Sequence, residues 1–280
     1  MPRYLGQHFL INKKKLRKIA DAIEIEQGDV LIEIGSGHGE LTSELVNRLI
    51  DKKIEAKIFA VEKDKNFVDF LKEKFSNEKN IEIIEGDALK VLPKLTANYK
   101  LPIANYKLVG NIPYYITGYL LRILSELENK PSLIVFLIQK EVADRICALR
   151  QAQGKPLRQA QGKPKMNLLA ASIQVWAEPE IIANVSKKYF RPPPKVDSSI
   201  IKLKPKTQNL TPETYYQFIK ILYKQPRKTI INNLASGIKA QGLAETKEEI
   251  IKKLLETGIN PNKRPQDLNI KQIIELSTLF

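Results

Sequence analysis

The stretch that decides the fold of this 280-residue chain is Val30-Leu31-Ile32-Glu33-Ile34-Gly35-Ser36-Gly37-His38-Gly39. A short apolar run stops at Gly35, which is typical of a buried parallel strand. A glycine-rich turn follows, and a helical pattern begins at Glu40. Glycines at such a turn let the backbone approach a ligand closely. The stretch therefore predicts the first strand, turn and helix of a nucleotide-binding α/β sheet.

The same alternation continues through the first half of the chain. A basic helix is predicted at Lys13–Ile25, before the first strand. Further strands are predicted at Ile58–Glu62, Ile81–Glu85, Lys107–Gly110 and Leu133–Ile138. Helices are predicted between them at Asn66–Phe75, Thr117–Leu127 and Glu141–Leu149. Such alternation predicts βαβ units and a doubly wound parallel sheet.

The second half of the chain has a different texture. Leu168–Trp176 fits a helix or a strand, whereas Glu180–Val185 and Ser198–Leu203 predict two strands. Only helical patterns follow Pro205, so we predict one domain over residues 1–206 and a small all-α domain over residues 207–280. Residues 149–164 repeat the same eight residues in tandem without an apolar face, which predicts a flexible surface insertion at 149–165.

Composition limits the class of protein. Hydrophobic residues make up 43% of the chain and charged residues 28%, which is typical of a soluble globular protein. No apolar run approaches the ~20 residues of a membrane span, and the N-terminus lacks the apolar core of a signal peptide. The single cysteine, Cys147, excludes an internal disulfide and a cysteine-rich zinc site. We therefore predict a cytoplasmic protein.

The net charge of +15 is concentrated in two blocks. Residues 1–18 contribute +6 and residues 186–228 contribute +9. Two basic blocks around a near-neutral remainder predict a nucleic-acid partner. The alternative is a generally basic protein whose charge serves solubility.

Three acidic residues lie near predicted strand ends. Glu33 precedes the glycine turn, and Glu62 ends the next strand, where carboxylates commonly accept from ribose hydroxyls. The alternative for Glu62 is a surface acid paired with a neighbouring lysine. Asp87 follows the third strand and could accept from an adenine amine, or it could cap a helix. The glycine spacing does not match a phosphate-binding motif.

A polar and aromatic corner follows the strand at Lys107–Gly110. Proline at 113 disfavours the helical region for Ile112, so the Ile112 carbonyl can point outward beside the Asn111 side chain. Two acceptors and the flat ring of Tyr114 suit the exocyclic amine of a planar base. The alternative is an ordinary strand-to-helix turn. His8 and His38 indicate neither a metal site nor a nucleophile relay, and no pattern supports hydrolysis.

Taken together, these motifs resemble those of the S-adenosylmethionine-dependent rRNA adenine N6-dimethyltransferases. The shared segments are Gly6–Leu10, Glu33–Gly37, Glu62, Gly86–Leu89 and Asn111–Tyr114. Three later segments favour the KsgA/RsmA branch, which acts on 16S rRNA; they are Gln139–Arg145, Phe190–Ser198 and Arg227–Thr229. The tandem insertion and Lys165–Asn167 depart from the family pattern, which leaves local RNA contacts there undefined.

The resemblance implies a Rossmann-like seven-stranded methyltransferase sheet and S-adenosyl-L-methionine as cofactor. It implies that Glu62 holds the ribose, Asp87 the adenine amine and Asn111 the target amine, while Tyr114 stacks on the target base. The implied catalytic residues are Asn111, Ile112, Pro113 and Tyr114. The implied cofactor-binding residues are His8, Leu10, Glu33, Gly35, Gly37, Glu62, Asp87, Ala88 and Asn111.

The resemblance also implies the substrate. It predicts dimethylation of two adjacent adenosines near the 3′ end of 16S rRNA, in a 30S assembly intermediate. We expect a monomer, because no helix shows a sustained apolar seam for self-association. We also expect no membrane contact, because no apolar run is long enough. Alternatives are a resistance-type 23S rRNA methyltransferase, a DNA adenine methyltransferase and a non-catalytic 30S assembly factor. The later segments disfavour the DNA enzyme, and the intact cofactor motifs disfavour the assembly factor.

Overall fold

The computed structural model describes residues 7–98, 106–148, 165–206, 212–240 and 245–280. The tandem repeat at residues 149–164 lies outside these ranges, so the predicted insertion stays a prediction. No helix in the described ranges is both long and apolar enough to cross a membrane.

Strands and helices alternate up to residue 146. The elements are β1 (Phe9–Leu10), α1 (Lys13–Ala22), β2 (Val30–Ile34), α2 (Glu40–Lys52), β3 (Lys57–Glu62), α3 (Lys65–Lys74), β4 (Ile81–Glu85), α4 (Ala88–Asn98), β5 (Tyr106–Asn111), α5 (Thr117–Glu126), β6 (Leu133–Gln139) and α6 (Lys140–Ile146). A 3₁₀ turn at Tyr114–Ile116 joins β5 to α5. This order agrees with the predicted βαβ pattern.

After residue 146, the described elements are three strands and five α-helices. They are α7 (Leu168–Gln174), β7 (Ala177–Val185), β8 (Phe190–Arg191), β9 (Ser198–Pro205), α8 (Pro212–Leu222), α9 (Ile230–Ala240), α10 (Lys247–Glu256) and α11 (Ile270–Ser277). Short 3₁₀ turns lie at Lys187–Tyr189 and Pro265–Asp267. No strand follows Pro205 among the residues described, as the sequence predicts.

Seven strands form one sheet in the order β4-β3-β2-β5-β6-β9-β7. The pairs from β4 to β6 are parallel, and β9 runs antiparallel to β6. The predicted doubly wound sheet is therefore confirmed. Because the chain moves outward from β2 to β4 and then returns to β5 beside β2, the order reverses between β2 and β5. Ligands of open α/β sheets bind at the carboxyl ends of the strands at such a reversal.

The central strands are buried, as the apolar runs predict. Leu31, Ile58, Leu108 and Ile134 each have no exposed surface. Helices α1 and α2 turn an apolar face to the same core, which buries Leu16 and Ile19 of α1 and Leu41, Leu45 and Leu49 of α2. A rigid sheet of this kind holds the ends of β2, β3 and β5 in fixed register.

The described residues divide into two compact units. The first extends to Ala143 and includes Glu180–Pro205; the second includes the described parts of Asp144–Pro179 and Lys206–Phe280. Within the second unit, the buried hydroxyl of Tyr215 donates to the Ala171 carbonyl at 3.0 Å, which ties α8 to α7. The predicted division of the chain at residue 206 stays a prediction.

Four elements go beyond the sequence prediction. Strands β1 and β8 are each only two residues long, and they pair with each other although they lie about 180 positions apart in the chain. No helix is predicted where α4 lies, because Pro93 inside it disfavours a helix interior. The ambiguous run at Leu168 forms a helix, α7, whose N-cap is Asn167. Short strands and tolerated prolines depend on tertiary contacts that periodicity does not record.

Candidate functional site

An open cleft lies at the carboxyl ends of β2, β3 and β5, where the strand order reverses. It encloses about 800 Å³, including solvent space at its mouth. Clefts of this size accommodate a nucleoside-sized ligand. The predicted site residues that line it are His8, Gly35, Gly37, Glu62, Asp87, Ala88, Asn111, Ile112, Pro113 and Tyr114. The fold thus brings together residues from five separate sequence motifs.

Glu62 ends β3, and its side chain binds the backbone of the glycine turn at Gly37. Glu62 is 4% exposed, and its carboxylate accepts from three backbone amides, those of Gly37 at 2.9 Å, Lys63 at 2.7 Å and Asp64 at 2.9 Å. Glu62 is therefore not a surface acid paired with a lysine side chain, which was the alternative for this residue. A carboxylate has about four acceptor sites, so one is left for a ligand hydroxyl.

Asp87 caps a helix and also lines the cleft. Its Oδ1 accepts from the Leu89 amide at 3.1 Å, so it caps α4. Its Oδ2 accepts from Lys63 Nζ at 2.9 Å on the cleft wall. This hydrogen bond from Lys63 lowers the pKa of Asp87, which keeps the carboxylate ionised and able to accept from an amine.

Asn111 ends β5, and one contact fixes the orientation of its amide. Asn111 Nδ2 donates to the His8 backbone carbonyl at 2.8 Å. Because a carbonyl oxygen can only accept, the amide nitrogen must face His8 and the Oδ1 atom must face the other way. Oδ1 accepts no hydrogen bond from the part of the chain that the structure describes. It is therefore available as an acceptor beside the cleft.

The rest of the corner lies around Asn111. The side chain of Ile112 is buried, and its carbonyl accepts no backbone hydrogen bond within the described ranges. Pro113 Cδ and the Asn111 carbonyl oxygen would both lie 3.6 Å from a Cβ placed on Gly35, so the corner and the glycine turn nearly touch. The half-buried Tyr114 hydroxyl shares a 2.8 Å hydrogen bond with Ser198 Oγ. Burial raises the pKa of Tyr114, so its phenol stays neutral.

Two predicted cofactor-binding residues do not line the cleft. Leu10 is 2% exposed and packs in the hydrophobic core. Glu33 is 1% exposed and accepts from Thr42 Oγ1 at 2.6 Å, which joins β2 to α2. Burial raises the pKa of Glu33 to about 7 and outweighs the opposing hydrogen bond from Thr42. Leu10 therefore contributes to the core and Glu33 links β2 to α2, and neither side chain reaches the cleft.

The raised pKa of Glu33 predicts a pH-dependent stability. The unfolded chain loses this proton near the ordinary pKa of 4.5, whereas the folded protein keeps it until about pH 7. The free energy of unfolding should therefore fall by roughly 3 kcal/mol as pH rises through this window. Glu33→Gln should remove that component, as measured by urea unfolding at pH 5 and pH 8. A variant with the same pH dependence as the parent would contradict the assignment.

Substitution of Gly37 by alanine should destabilise the protein more than the same substitution at Gly28, which serves as the control. Both have positive φ, +53° and +80°, but a Cβ on Gly37 would lie 2.6 Å from the Phe9 ring while one on Gly28 would meet nothing within 4 Å. Gly28→Ala should cost about 1 kcal/mol of stability. Gly37→Ala should cost about 1–2 kcal/mol more, because the ring must move as well. Equal costs in urea unfolding would contradict the close contact.

Sequence reasoning missed several residues of the cleft. Lys63 and Phe9 line it, as do Gln7, Val61, Gly86, Tyr115 and Ile116. The position of Lys63 directly after the strand-end acid is a usable signal. Phe9 lies in the shared segment Gly6–Leu10, but its contact with Gly37 depends on the β1–β8 pairing, which that segment does not predict. No group of three His, Cys, Asp or Glu side chains in the described residues is placed to hold a metal ion.

The structure brings two basic segments of the first unit together beside the cleft. The β1–β8 pairing and the 2.9 Å bond from the Ile11 amide to the Tyr189 carbonyl place the start of α1 next to residues 187–195. Lys15 Nζ donates to the Asn184 carbonyl at 2.9 Å. The exposed cations of these segments are Lys13, Lys14, Arg17, Lys18, Lys187, Lys188, Arg191 and Lys195, of which Arg17 pairs with Glu44 at 3.4 Å.

The model of the family described as ribosomal RNA adenine dimethylase matches residues 2–280. A ribosomal RNA small subunit methyltransferase A from Dehalococcoides mccartyi is 35% identical, over 96% of this chain and 84% of the relative. The protein of the same name from Mycoplasma capricolum is 33% identical, over 99% and 97% of the two chains.

Two solved structures are also similar. A dimethyladenosine transferase from Plasmodium falciparum has a TM-score of 0.73 and 25% identity, over 96% of this chain and 95% of the other. The 23S rRNA methyltransferase ErmE has a TM-score of 0.69 and 22% identity, over 96% and 98% of the two chains. The second likeness concerns the fold alone.

Proposed function

This chain belongs to the ribosomal RNA adenine dimethylase family, and on that premise we propose that it dimethylates N6 of two adjacent adenosines near the 3′ end of 16S rRNA, with S-adenosylmethionine as methyl donor. The observation that carries the proposal is the Asn111 amide, whose nitrogen is bound to the His8 carbonyl and whose oxygen is left as an acceptor at the cleft. We place the enzyme in the cytoplasm, acting as a monomer on a 30S assembly intermediate.

The cleft has the chemistry that S-adenosylmethionine requires. Glu62 offers a buried carboxylate beside the glycine turn for the ribose hydroxyls, and Asp87 offers an ionised carboxylate for the adenine amine. Gly35 and Gly37 leave the backbone accessible along the cofactor, and Ala88 is a small cleft-lining side chain. The bound cofactor supplies an electrophilic methyl group on a sulfonium. We assign these cofactor-binding roles because all five residues line the same cleft.

The reacting nitrogen would be held by the corner at the end of β5. The lone pair of an adenine amine is delocalised into the ring, which makes the nitrogen a poor nucleophile. Asn111 Oδ1 and the Ile112 carbonyl can accept its two hydrogens, favour a pyramidal nitrogen and stabilise the charge that develops on it. Positioning at ~3–3.5 Å from the methyl carbon supplies much of the remaining acceleration. No dedicated base is required, because the methylated nitrogen loses its proton readily to solvent.

The target base must leave its stack to reach the corner. Unstacking costs a few kcal/mol, which an aromatic side chain in the pocket partly offsets. Tyr114 provides that ring, because its hydroxyl is tied to Ser198 while the ring lines the cleft. Repetition of the same cycle on the monomethylated nitrogen gives the dimethylated product.

The basic segments beside the cleft would bind RNA phosphates. Each phosphate neutralised on single-stranded RNA contributes about 0.7 to the slope of log affinity against log salt. Lys14→Ala combined with Lys18→Ala should therefore reduce that slope by about 1.4 and weaken binding at low salt. Lys72→Ala, an exposed lysine on α3, serves as the control and should leave the slope unchanged. An unchanged slope in the double variant would remove α1 from the RNA interface.

The proposed function is tested by incubating the purified protein and S-adenosylmethionine with unmethylated 30S particles, and in parallel with unmethylated 23S rRNA. The nucleosides are then measured by mass spectrometry. Dimethyladenosine in 16S rRNA alone is the expected result. Product in 23S rRNA alone would assign the chain to the resistance-type methyltransferases. Binding to 30S particles without product in either RNA would favour a non-catalytic assembly factor.

A further inference from the structure

The segment Phe190–Ser198 contacts the corner at two points. Near its start, the Pro192 carbonyl accepts from His8 Nδ1 at 2.8 Å, and the His8 carbonyl in turn accepts from Asn111 Nδ2 at 2.8 Å. At its end, Ser198 Oγ shares a 2.8 Å hydrogen bond with the Tyr114 hydroxyl. One segment, about 80 residues from the corner in sequence, thus reaches both of its functional side chains.

We propose that Phe190–Ser198 is a positioning element for methyl transfer, in which His8 and Ser198 act as positioning residues. His8 fixes the amide of Asn111, and Ser198 fixes the ring of Tyr114. The inference rests on the proposed function, because it assigns these residues a part in orienting the target adenine. It also gives His8 a role different from that of a cofactor contact.

The donors and acceptors in the two hydrogen bonds of His8 are fixed by their chemistry. Since the Pro192 carbonyl can only accept, His8 Nδ1 must carry the hydrogen, and the ring is held in one tautomer. The β1–β8 pairing places Phe9 opposite Arg191 and keeps the two backbones in register next to this bond. The His8 carbonyl is thereby held against Asn111 Nδ2. If His8 moved, the Asn111 amide could rotate and present its nitrogen, a donor, to a substrate amine that also donates.

The path through Ser198 starts from a rigid strand. Ser198 is fully buried at the start of β9, opposite Gln139 in the β6–β9 ladder. Tyr114 lies in the short 3₁₀ turn at Tyr114–Ile116, which has fewer backbone constraints than a strand. The hydroxyl bond therefore ties a ring on a short turn to a fixed point in the sheet. A fixed ring loses less conformational entropy when a base stacks on it.

Ser199 provides a matched control for Ser198. Both side chains are fully buried on β9, and Ser199 Oγ donates to Asn184 Oδ1 at 2.8 Å, away from the corner. Ser198→Ala should lower kcat on 30S particles about tenfold and leave the Kd for S-adenosylmethionine within about twofold. Ser199→Ala should lose similar stability but keep the parent kcat. Tyr114→Phe should match Ser198→Ala, and the double variant should lose no more than either single one.

His8 is tested by comparing His8→Ala with His8→Asn. Asparagine retains a donor near the position of Nδ1, so His8→Asn should recover most of the roughly tenfold loss of kcat expected for His8→Ala. The Kd for the cofactor should stay within about twofold in both. A higher Kd with unchanged kcat would show that His8 is a cofactor contact and would overturn the inference. Equal kcat in Ser198→Ala and Ser199→Ala would overturn it too, whereas an inactive parent protein would instead count against the proposed function.

Discussion

Asn111→Ala is expected to lower the rate of methyl transfer by about 10²–10³-fold while the Kd for S-adenosylmethionine changes by no more than about twofold. The variant removes the acceptor that stabilises charge on the target nitrogen, and loss of one such group typically has this effect. Cofactor affinity is preserved because Glu62 and Asp87, on other strands, keep their own contacts with the backbone and Lys63. Single-turnover transfer to 30S particles and calorimetric titration of the cofactor measure the two quantities separately.

The control for this variant is Asn47→Ala, which changes an exposed asparagine on α2 away from the cleft. It should alter neither quantity. Asn111→Asp is a sharper companion, because a carboxylate cannot donate to the His8 carbonyl and would face it with like partial charge. It should therefore be as inactive as Asn111→Ala although it retains an acceptor. Parallel losses of transfer and cofactor affinity in Asn111→Ala would contradict the division of roles between the strands.

Glu62→Gln is expected to raise the Kd for S-adenosylmethionine by about 10–100-fold and to lower the free energy of unfolding by about 2–3 kcal/mol. The carboxylate accepts from three backbone amides at 2.7–2.9 Å, and bonds to charged acceptors are the stronger ones. An amide offers one acceptor atom, so at least one of the three donors loses its partner. The glycine turn would then lose its support at Gly37.

Glu82→Gln is the matched control for Glu62→Gln. Glu82 lies on the neighbouring strand β4, is about 40% exposed and pairs with Lys57 at 2.8 Å. Exposed pairs of this kind contribute about 0–1 kcal/mol. Calorimetric titration and urea unfolding of the two variants should therefore differ clearly. Equal changes in Kd and in the free energy of unfolding would show that Glu62 contributes only a negative charge and that its three backbone contacts do not matter.

The sequence predicts those parts of the molecule that depend on local periodicity. Apolar runs that end in glycine or a polar corner identify β2, β3 and β5, and the parallel arrangement then brings Gly35, Glu62 and Asn111 to one edge. The doubly wound sheet follows from the same patterns and is confirmed. The roles of the individual site residues stay predictions, although most of them line one cleft.

The sequence does not reveal contacts between distant segments. The bond from Asn111 to His8 spans 103 positions, and the bond from His8 to Pro192 spans 184. The sequence around any one of these three residues gives no indication that it contacts the others. Leu10 and Glu33 lie inside motifs that line the cleft, yet both side chains are buried away from it. In an alternating or tightly turned segment, neighbouring residues face opposite sides, and only the three-dimensional structure shows which side faces the cleft.

The most direct test of the account is a crystal structure of the protein with S-adenosylhomocysteine. We predict the ribose hydroxyls within hydrogen-bond distance of the Glu62 carboxylate, the adenine amine at Asp87 and the sulfur facing Asn111 Oδ1 across an open space for the target base. A ligand bound outside this cleft would contradict the central claim. So would a ligand whose sulfur is shielded from Asn111.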